Sequence, residues 1–231
     1  MRHRLTAAIG RAVVLFVVVT VTPTVAMRWL RPPTTSFMLQ HRFKSRSGSH
    51  SCGRIGYRWI DWKNVSPHLL IAIVAAEDQR FPKHAGFDFD SIADAFEKRS
   101  VRGRIRGAST ISQQLAKNLF LWPGRSWFRK AMEAYFTAVI ELCWSQRRIL
   151  EVYVNVAQFG PCTFGVGAGA ERFFARPPSS LNPREAALMA AVLPNPVWPR
   201  LDRPPTYVRK RAAWVADQVA RLGGFAYLRE L

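Results

Sequence analysis

Most hydrophobic positions in this chain recur with the period of an α-helix. The clearest case follows Ser66-Pro67, where we expect the serine to cap the free amides and the proline to occupy the first turn. The same reasoning predicts helices over residues 92–99, 127–144, 168–174 and 207–222, and two more that begin at Ser145 and Asn182. Since no segment alternates convincingly with the period of a β-strand, we predict a mainly α fold.

Residues 12–27 form an uncharged apolar run with arginines on both sides. A helix of this length covers about 24 Å, and the flanking arginines could extend it toward the ~30 Å of a hydrocarbon core. We interpret residues 1–30 as a short cytoplasmic stub and one N-terminal transmembrane helix. The alternative is a signal peptide cleaved near the small residues at 24–26. The positive charge before the run favours a cytoplasmic N-terminus and an extracytoplasmic main domain.

Residues 31–60 are rich in proline, serine and basic side chains, a composition typical of a linker. The remaining segment, 61–231, is long enough for one domain with a sizeable core. We therefore predict three parts, namely the anchor over 1–30, the linker over 31–60 and the catalytic domain over 61–231.

The chain is strongly basic, with 34 Lys and Arg against 15 Asp and Glu, a formal charge of +19. Such an excess favours a polyanionic partner, either nucleic acid, an anionic membrane surface or a phosphorylated substrate. The excess is concentrated in residues 1–65, beside the apolar run, which favours the membrane. No zinc-finger, RNA-recognition or Walker pattern is present, so we expect no nucleic-acid partner.

The three cysteines show no spacing typical of a metal site. Cys143 lies in an apolar helical segment and is interpreted as a small core residue. Cys52 and Cys162 could form a disulfide in an oxidising compartment, and the sequence leaves that pairing open.

The strongest candidate for chemistry is the acidic pair Glu77-Asp78, at the end of the apolar helix that starts at Pro67. Desolvation at this end would raise the pKa of Glu77, which suits an acid or base that works near neutral pH. The alternative is that Glu77 pairs with Arg80 or Lys83 on the next turn and only closes the helix.

Two further segments place polar groups at helical spacing. In residues 107–118, Thr110 and Gln113 have the form of a capping box, and free amides at that helix start would suit an anion such as a pyrophosphate. In the next helix, Arg129, Lys130 and Glu133 share one surface. That surface is either a solvated salt-bridged face or a second acidic centre held by cations.

Residues 77–88 read Glu-Asp-x-x-Phe-x-x-His-x-Gly-x-Asp, and this pattern resembles the first motif of the peptidoglycan glycosyltransferases, glycosyltransferase family 51. Residues 107–118 resemble the second motif, with Ala108 in place of a glycine and Ser112 in place of a threonine. The segment 129–133 resembles the third motif, and residues 148–155 and 185–194 resemble the fourth and fifth. The resemblance covers roughly residues 61–196.

The resemblance implies a lysozyme-like glycosyltransferase domain with a small membrane-facing lobe between the first and third motifs. It implies polymerisation of lipid II into glycan strands with release of undecaprenyl pyrophosphate. Glu77 matches the general base and Glu133 the second essential glutamate. Glu133 acts in the donor site or holds a divalent cation, Mg²⁺ or Mn²⁺. The positions that match substrate or pyrophosphate contacts are Asp78, Ser109, Thr110, Gln113, Gln114, Lys117, Arg125, Arg129 and Lys130.

The implied partners are lipid II, the lipid-linked nascent glycan, the membrane, and cell-division or elongation proteins. The implied location is the bacterial inner membrane, with one span and the catalytic domain in the periplasm. Two other functions stay open from the sequence. One is a lysozyme-like peptidoglycan hydrolase or lytic transglycosylase, which also needs one essential glutamate but no pyrophosphate clamp. The other is a non-catalytic cell-wall scaffold.

Overall fold

A computed structural model of the chain describes residues 2–46, 54–91, 93, 109–124, 126–196, 201 and 203–231. The described part is mainly helical, as predicted. Its helices are α1 Arg2–Ala26, α2 Ser36–Arg46, α3 Pro67–Glu77, α4 Ile111–Phe120, α5 Trp127–Cys143, α6 Gln146–Val156, α7 Gly165–Phe174, α8 Pro183–Val192 and α9 Thr206–Arg221. Short 3₁₀ turns cover Trp62–Asn64, Phe81–Lys83, Pro178–Ser180 and Gly224–Glu230.

The centre of the domain is α3, whose residues from Leu69 to Ala75 are all buried. It packs against α8 and α9 on one side of the core, while α4 packs against α5 and α6. The helix begins at Pro67 as predicted, but the capping role expected for Ser66 is wrong. Its hydroxyl instead donates a hydrogen bond of 2.7 Å to the Leu181 carbonyl, which fastens the start of α3 to the segment before α8.

Three short strands form a sheet that the sequence analysis did not predict. Strand β1 is Gly56–Tyr57, β2 is Gln158–Gly160 and β3 is Thr163–Phe164. The order is β1-β3-β2, with β1 parallel and β2 antiparallel to β3. Strands of two or three residues are too short to show an alternating pattern, so they left no periodic signal.

Several helix starts agree with their predicted caps. Ser145 accepts from the Arg148 amide at 3.2 Å, and Asn182 forms a complete capping box with Glu185. Helix α7 begins at Gly165, three residues before the predicted start. Most of the predicted helix over 92–99, and the segment that follows it up to residue 108, lie outside the described residues. The small membrane-facing lobe therefore stays a prediction.

Helix α1 contains one candidate membrane span, Thr6–Ala26, with a mean hydropathy of 2.0. Its C-terminal end is docked on the domain. The Thr20 hydroxyl lies 2.7 Å from the Tyr135 hydroxyl, and the Trp144 indole donates to the Thr24 carbonyl at 2.8 Å. Arg148 adds hydrogen bonds to the carbonyls that follow, at residues 27 and 30. The span is thus joined to α5 and α6 by side-chain contacts as well as by the chain.

The predicted linker is partly an ordered helix. Helix α2 packs against α4 and buries Met38. Gln40 donates a hydrogen bond of 3.1 Å to the Leu121 carbonyl at the end of α4. Met38 is the buried apolar residue among the described side chains of α2, while Leu39 and Phe43 are exposed, so this helix shows little of the apolar periodicity by which a sequence reveals an ordered helix.

We predict that Gly165→Ala will destabilise the domain strongly. Gly165 has φ +76°, and a Cβ there would lie 2.3 Å from the carbonyl oxygen of Asn155. The matched control is Gly223→Ala, which has φ +81° but no atom within 4 Å of the added Cβ. The left-handed backbone alone costs alanine about 1–2 kcal/mol. Thermal unfolding of the detergent-purified chain should therefore show a larger loss for Gly165→Ala, and equal losses would contradict the clash.

Candidate active site

Glu77 is the last residue of α3, and its side chain is only 10% exposed. Its Oε2 accepts a hydrogen bond of 2.9 Å from the Gln114 side-chain amide on α4. Gln114 is oriented in turn by Tyr153, whose hydroxyl donates to its amide oxygen at 3.0 Å. Among the described residues, the Glu77 Oε1 atom is buried without a hydrogen-bond partner, and Arg211 Nη2 lies 3.5 Å from it. One carboxylate oxygen is therefore fixed while the other is available.

Burial raises the pKa of Glu77, as predicted, while the Gln114 hydrogen bond and the charges of Arg211 and Lys117 oppose the rise. A carboxyl whose pKa is raised toward neutrality suits proton transfer. The alternative partner Arg80 instead forms ion pairs with Asp88 and Asp90, on the loop that follows α3.

Asp78 connects the end of α3 to the start of α4. Its Oδ1 lies 2.9 Å from His84 Nε2, and its Oδ2 accepts a hydrogen bond of 2.9 Å from the Ile111 amide. The contact with Asp78 raises the pKa of His84 against the opposing effect of burial, which is the larger single cause. The Asp78 carboxylate thus already binds the positive N-terminal end of α4.

Thr110 caps α4 as predicted. Its hydroxyl accepts from the Gln113 amide at 3.2 Å and donates to the Gly86 carbonyl at 2.7 Å. The reciprocal half of the capping box is missing, since the buried Gln113 side-chain oxygen has no hydrogen-bond partner. Because Asp78 and Thr110 already engage two amides of this helix start, the expected anion site on its free amides is largely filled by the protein itself. Ser109, just before the cap, is exposed.

Gln114 and Lys117 lie three residues apart on α4 and line a cavity of about 180 Å³. The cavity is also lined by Tyr153 from α6 and Phe37 from α2. The Lys117 ammonium group lies 5.9 Å from the centre of the Phe37 ring. Burial lowers the pKa of Lys117, while the charges of Glu133 and Glu77 oppose that fall. The charges of Glu77 and Glu133 therefore both act on the Lys117 ammonium group.

The second acidic centre lies on α5. The Glu133 side chain is 5% exposed, and one of its oxygens accepts from the Arg129 guanidinium at 2.7 Å while the other contacts the Lys130 ammonium. The predicted shared surface is confirmed. Because Glu133 is buried and the Arg129 side chain is only 12% exposed, this pair does not form the solvated salt-bridged face that was one of the two interpretations, although Lys130 is exposed.

One cluster of possible metal ligands is present among the described residues. One ligand atom from each of Asp78, His84 and Asp88 lies within 4.8 Å of the others, a spacing that could hold a metal ion. The predicted ligand Glu133 is not part of this cluster, and its two oxygens already contact two cationic side chains. Arg125, expected at the pyrophosphate, lies outside the described residues, and so does Cys52, whose pairing with Cys162 was left open.

The sequence analysis missed two polar groups next to the motifs. Arg211 comes from the C-terminal helix α9, far along the chain from Glu77, and carried no motif signal. Glu141 on α5 accepts a short hydrogen bond from the Ser112 hydroxyl, and burial raises its pKa. Ser112 stands where the related motif usually has threonine, and either residue supplies this hydroxyl. Serine in place of threonine at position 112 therefore keeps the hydrogen bond to Glu141.

Comparisons with known proteins agree with this geometry. Residues 50–220 match the family model described as "Transglycosylase". A protein of Ectopseudomonas mendocina is 48% identical over 206 residues, which are 89% of this chain and 85% of the relative. A protein of Pseudomonas putida is 44% identical over 223 residues, 96% of this chain and 94% of the relative. One of Xanthomonas campestris pv. campestris is 44% identical over 218 residues, 94% and 89% of the two lengths.

All three relatives are named biosynthetic peptidoglycan transglycosylase. The matched family model covers most of the chain, and it includes every motif position at which a site residue was predicted. The mainly helical architecture and the family's lysozyme-like fold agree with the fold expected from the resemblance. The family model matches most of the chain, the relatives are 44–48% identical over nearly its whole length, and the motifs occur in the expected order. The chain therefore belongs to the transglycosylase family.

Proposed function

We propose that this protein is a peptidoglycan glycosyltransferase that polymerises lipid II and releases undecaprenyl pyrophosphate. The observation that carries the proposal is the buried Glu77 carboxylate, with one oxygen held by Gln114 and the other without a hydrogen-bond partner in the part of the chain that the structure describes. The relatives' name, with its word biosynthetic, favours synthesis over the hydrolase alternative.

Glu77 is the general base in this proposal. The 4-hydroxyl of the acceptor N-acetylglucosamine is a weak nucleophile, so its proton must be removed as it attacks C1 of the N-acetylmuramic acid at the end of the growing glycan. Glu77 Oε1 accepts that proton, because Oε2 is already engaged with Gln114. Attack from the face opposite to the leaving pyrophosphate inverts the configuration at C1.

The departing pyrophosphate gains negative charge as the bond to C1 breaks, and cationic groups near it stabilise that charge. Lys117 is a described cation on which the charges of both Glu133 and Glu77 act. We assign it, with Arg125, Arg129 and Lys130, to pyrophosphate binding. Glu133 orients Arg129 and Lys130 through its two carboxylate oxygens.

A divalent cation, Mg²⁺ or Mn²⁺, would supply further charge neutralisation at the pyrophosphate. Glu133 offers it a poor site within the protein alone, since both of its oxygens are engaged. The steps assigned above to Glu77 and Lys117 do not require the metal.

We place the protein in the bacterial inner membrane, with α1 as its single span and the catalytic domain in the periplasm. The support is the apolar span Thr6–Ala26 and the arginines that precede it. Lipid II, the lipid-linked glycan and proteins of cell division or elongation are its expected partners there.

We predict that Glu77→Gln will reduce the rate of lipid II polymerisation about a thousandfold, the effect expected when a general base is lost. The glutamine keeps the size of the side chain, but its amide group does not accept a proton near neutral pH. The control is Glu171→Gln, which removes a carboxylate that is 66% exposed. The measurement is the ladder of labelled glycan on a gel. Normal polymer from Glu77→Gln would contradict the base assignment, and shortening of finished strands by the wild type would favour the hydrolase.

We predict that Lys117→Ala will weaken inhibition by undecaprenyl pyrophosphate about tenfold or more. One charge-assisted hydrogen bond to a charged group contributes about 1.5–3 kcal/mol. The matched control is Lys63→Ala, which removes an exposed lysine away from the cavity. Equal inhibition constants for the wild type and Lys117→Ala would remove Lys117 from the pyrophosphate site.

We predict that deletion of residues 2–19 will move most of the protein from the membrane fraction to the soluble fraction. The deletion removes most of the span but keeps the docked segment, including Thr20 and the carbonyl that accepts from Trp144. The domain should therefore stay folded, as judged by circular dichroism. Full retention in carbonate-washed membranes would show that the catalytic domain carries the main anchor.

A further inference from the structure

Arg211 lies in α9, outside every motif that the resemblance identifies. Its guanidinium Nη2 is 3.5 Å from Glu77 Oε1 and donates a hydrogen bond of 3.4 Å to the Ala76 carbonyl. The side chain is 24% exposed, so this pair is screened much less than an ion pair on an open surface. The C-terminal helix thus contributes a cation to the end of α3.

The arginine is held in this position by its own surroundings. Its guanidinium carbon lies 5.4 Å from the centre of the Trp214 ring, three residues further along α9. Helix α9 packs directly against α3 and α8. A second contact lies just beyond the end of α3, where the Gln79 side-chain amide donates to the Gln218 side-chain oxygen on α9 at 3.2 Å. The position of Arg211 relative to Glu77 is therefore set by packing between helices.

We propose that Arg211 is a positioning residue for the reaction, which keeps the Glu77 carboxylate ionised and directed toward the acceptor hydroxyl. This inference rests on the proposed function, in which Glu77 is the general base. The inference makes α9 part of the active site, so that this helix contributes a functional side chain as well as packing against α3 and α8.

The other groups that face Glu77 cannot replace Arg211. Gln114 is neutral, and Tyr153 is a phenol whose pKa burial raises well above its ordinary value. Lys117 carries a positive charge, but Glu133 shares it and the proposed pyrophosphate would bind it. Asp78, the next residue along the chain, carries a negative charge that is directed to His84 and the α4 amide. Among the described residues, Arg211 is the cation within ion-pair distance of Glu77.

The geometry also explains why the pair does not disable the base. At 3.5 Å the contact is longer than a strong charge-assisted hydrogen bond, and Glu77 Oε1 keeps its lone pairs for a proton. The charge of Arg211 therefore favours the ionised carboxylate without occupying the oxygen that must accept the proton.

The direction of the pH effect follows from these charges. Burial raises the pKa of Glu77, and Arg211 opposes that rise. Without Arg211 the pKa of Glu77 rises further, so less of the base is ionised at acidic pH. At alkaline pH the carboxylate is ionised with or without the arginine, and the difference in rate becomes small.

The experiment compares wild type, Arg211→Gln, Arg211→Lys and Arg209→Gln in lipid II polymerisation over pH 5.5 to 9. Arg209 is the matched control, since it lies on the same helix, is exposed and donates a hydrogen bond of 3.1 Å to the Thr206 hydroxyl. We expect Arg211→Gln to lose about tenfold more activity at the acidic end than at the alkaline end, mainly in kcat. Arg211→Lys should recover most of the loss, and Arg209→Gln should follow the wild type.

A second readout separates this inference from the proposed function. In protein carrying ¹³C-labelled glutamate, the Glu77 carboxyl signal is identified by its loss in Glu77→Gln, and its titration is followed by NMR. We expect the titration of Arg211→Gln to move to higher pH. An unchanged titration, or a rate loss that is equal at every pH, would overturn the role of Arg211. Absence of polymer from the wild type would overturn the proposed function, and the titration would still decide whether Arg211 controls Glu77.

Discussion

The rest of the site depends on the buried Asp78 carboxylate, which contacts His84 with one oxygen and the Ile111 amide with the other. Asp78 accepts the first amide of α4 and contacts His84, so it fixes the end of α3 against the start of α4. Glu77 is carried by the first of these helices, and Gln114 and Lys117 by the second. A negative side chain at a helix N-terminus is favoured by the helix dipole, which stabilises this junction. The Asp78 carboxylate thus fixes the distance between Glu77, the proposed base, and Lys117, the proposed cation, before any substrate binds.

Charge compensation extends outward from that junction. Glu77 faces Arg211, Glu133 contacts Arg129 and Lys130, and Lys117 feels both glutamates. A buried charge without a partner is costly, so each acidic group in this region needs its cation for stability as well as for chemistry. The chain as a whole carries a net charge of +19, and cations likewise predominate around the carboxylates of Glu77 and Glu133. An anionic substrate enters a region where the positive charges are already placed.

The sequence was most informative where local physics decides the structure. Ser145 and Asn182 were identifiable as caps because a cap depends on residues within one turn. Ser66 was assigned the wrong role because its partner, the Leu181 carbonyl, is distant in the chain. The contact between Arg211 and Glu77 was missed for the same reason, whereas the strand Gly56–Tyr57 was missed because two residues cannot show an alternating pattern. Motif spacing pointed to Glu77 as the proposed base and to Glu133 as the proposed second glutamate, but it could not show which oxygen of Glu77 is engaged by Gln114.

The docking of α1 on α5 and α6 affects how the enzyme meets its substrate in the bilayer. The contacts at Tyr135, Trp144 and Arg148 join the end of the span to the domain without a long tether. With α1 as the proposed span, these contacts would hold the domain, and with it Glu77, at a constant height above the lipid surface. A lipid-linked sugar carries its reacting bond at a constant height too, fixed by its own anchor. The two therefore meet by lateral diffusion in two dimensions, and the helix that retains the enzyme in the membrane also sets the level at which it works.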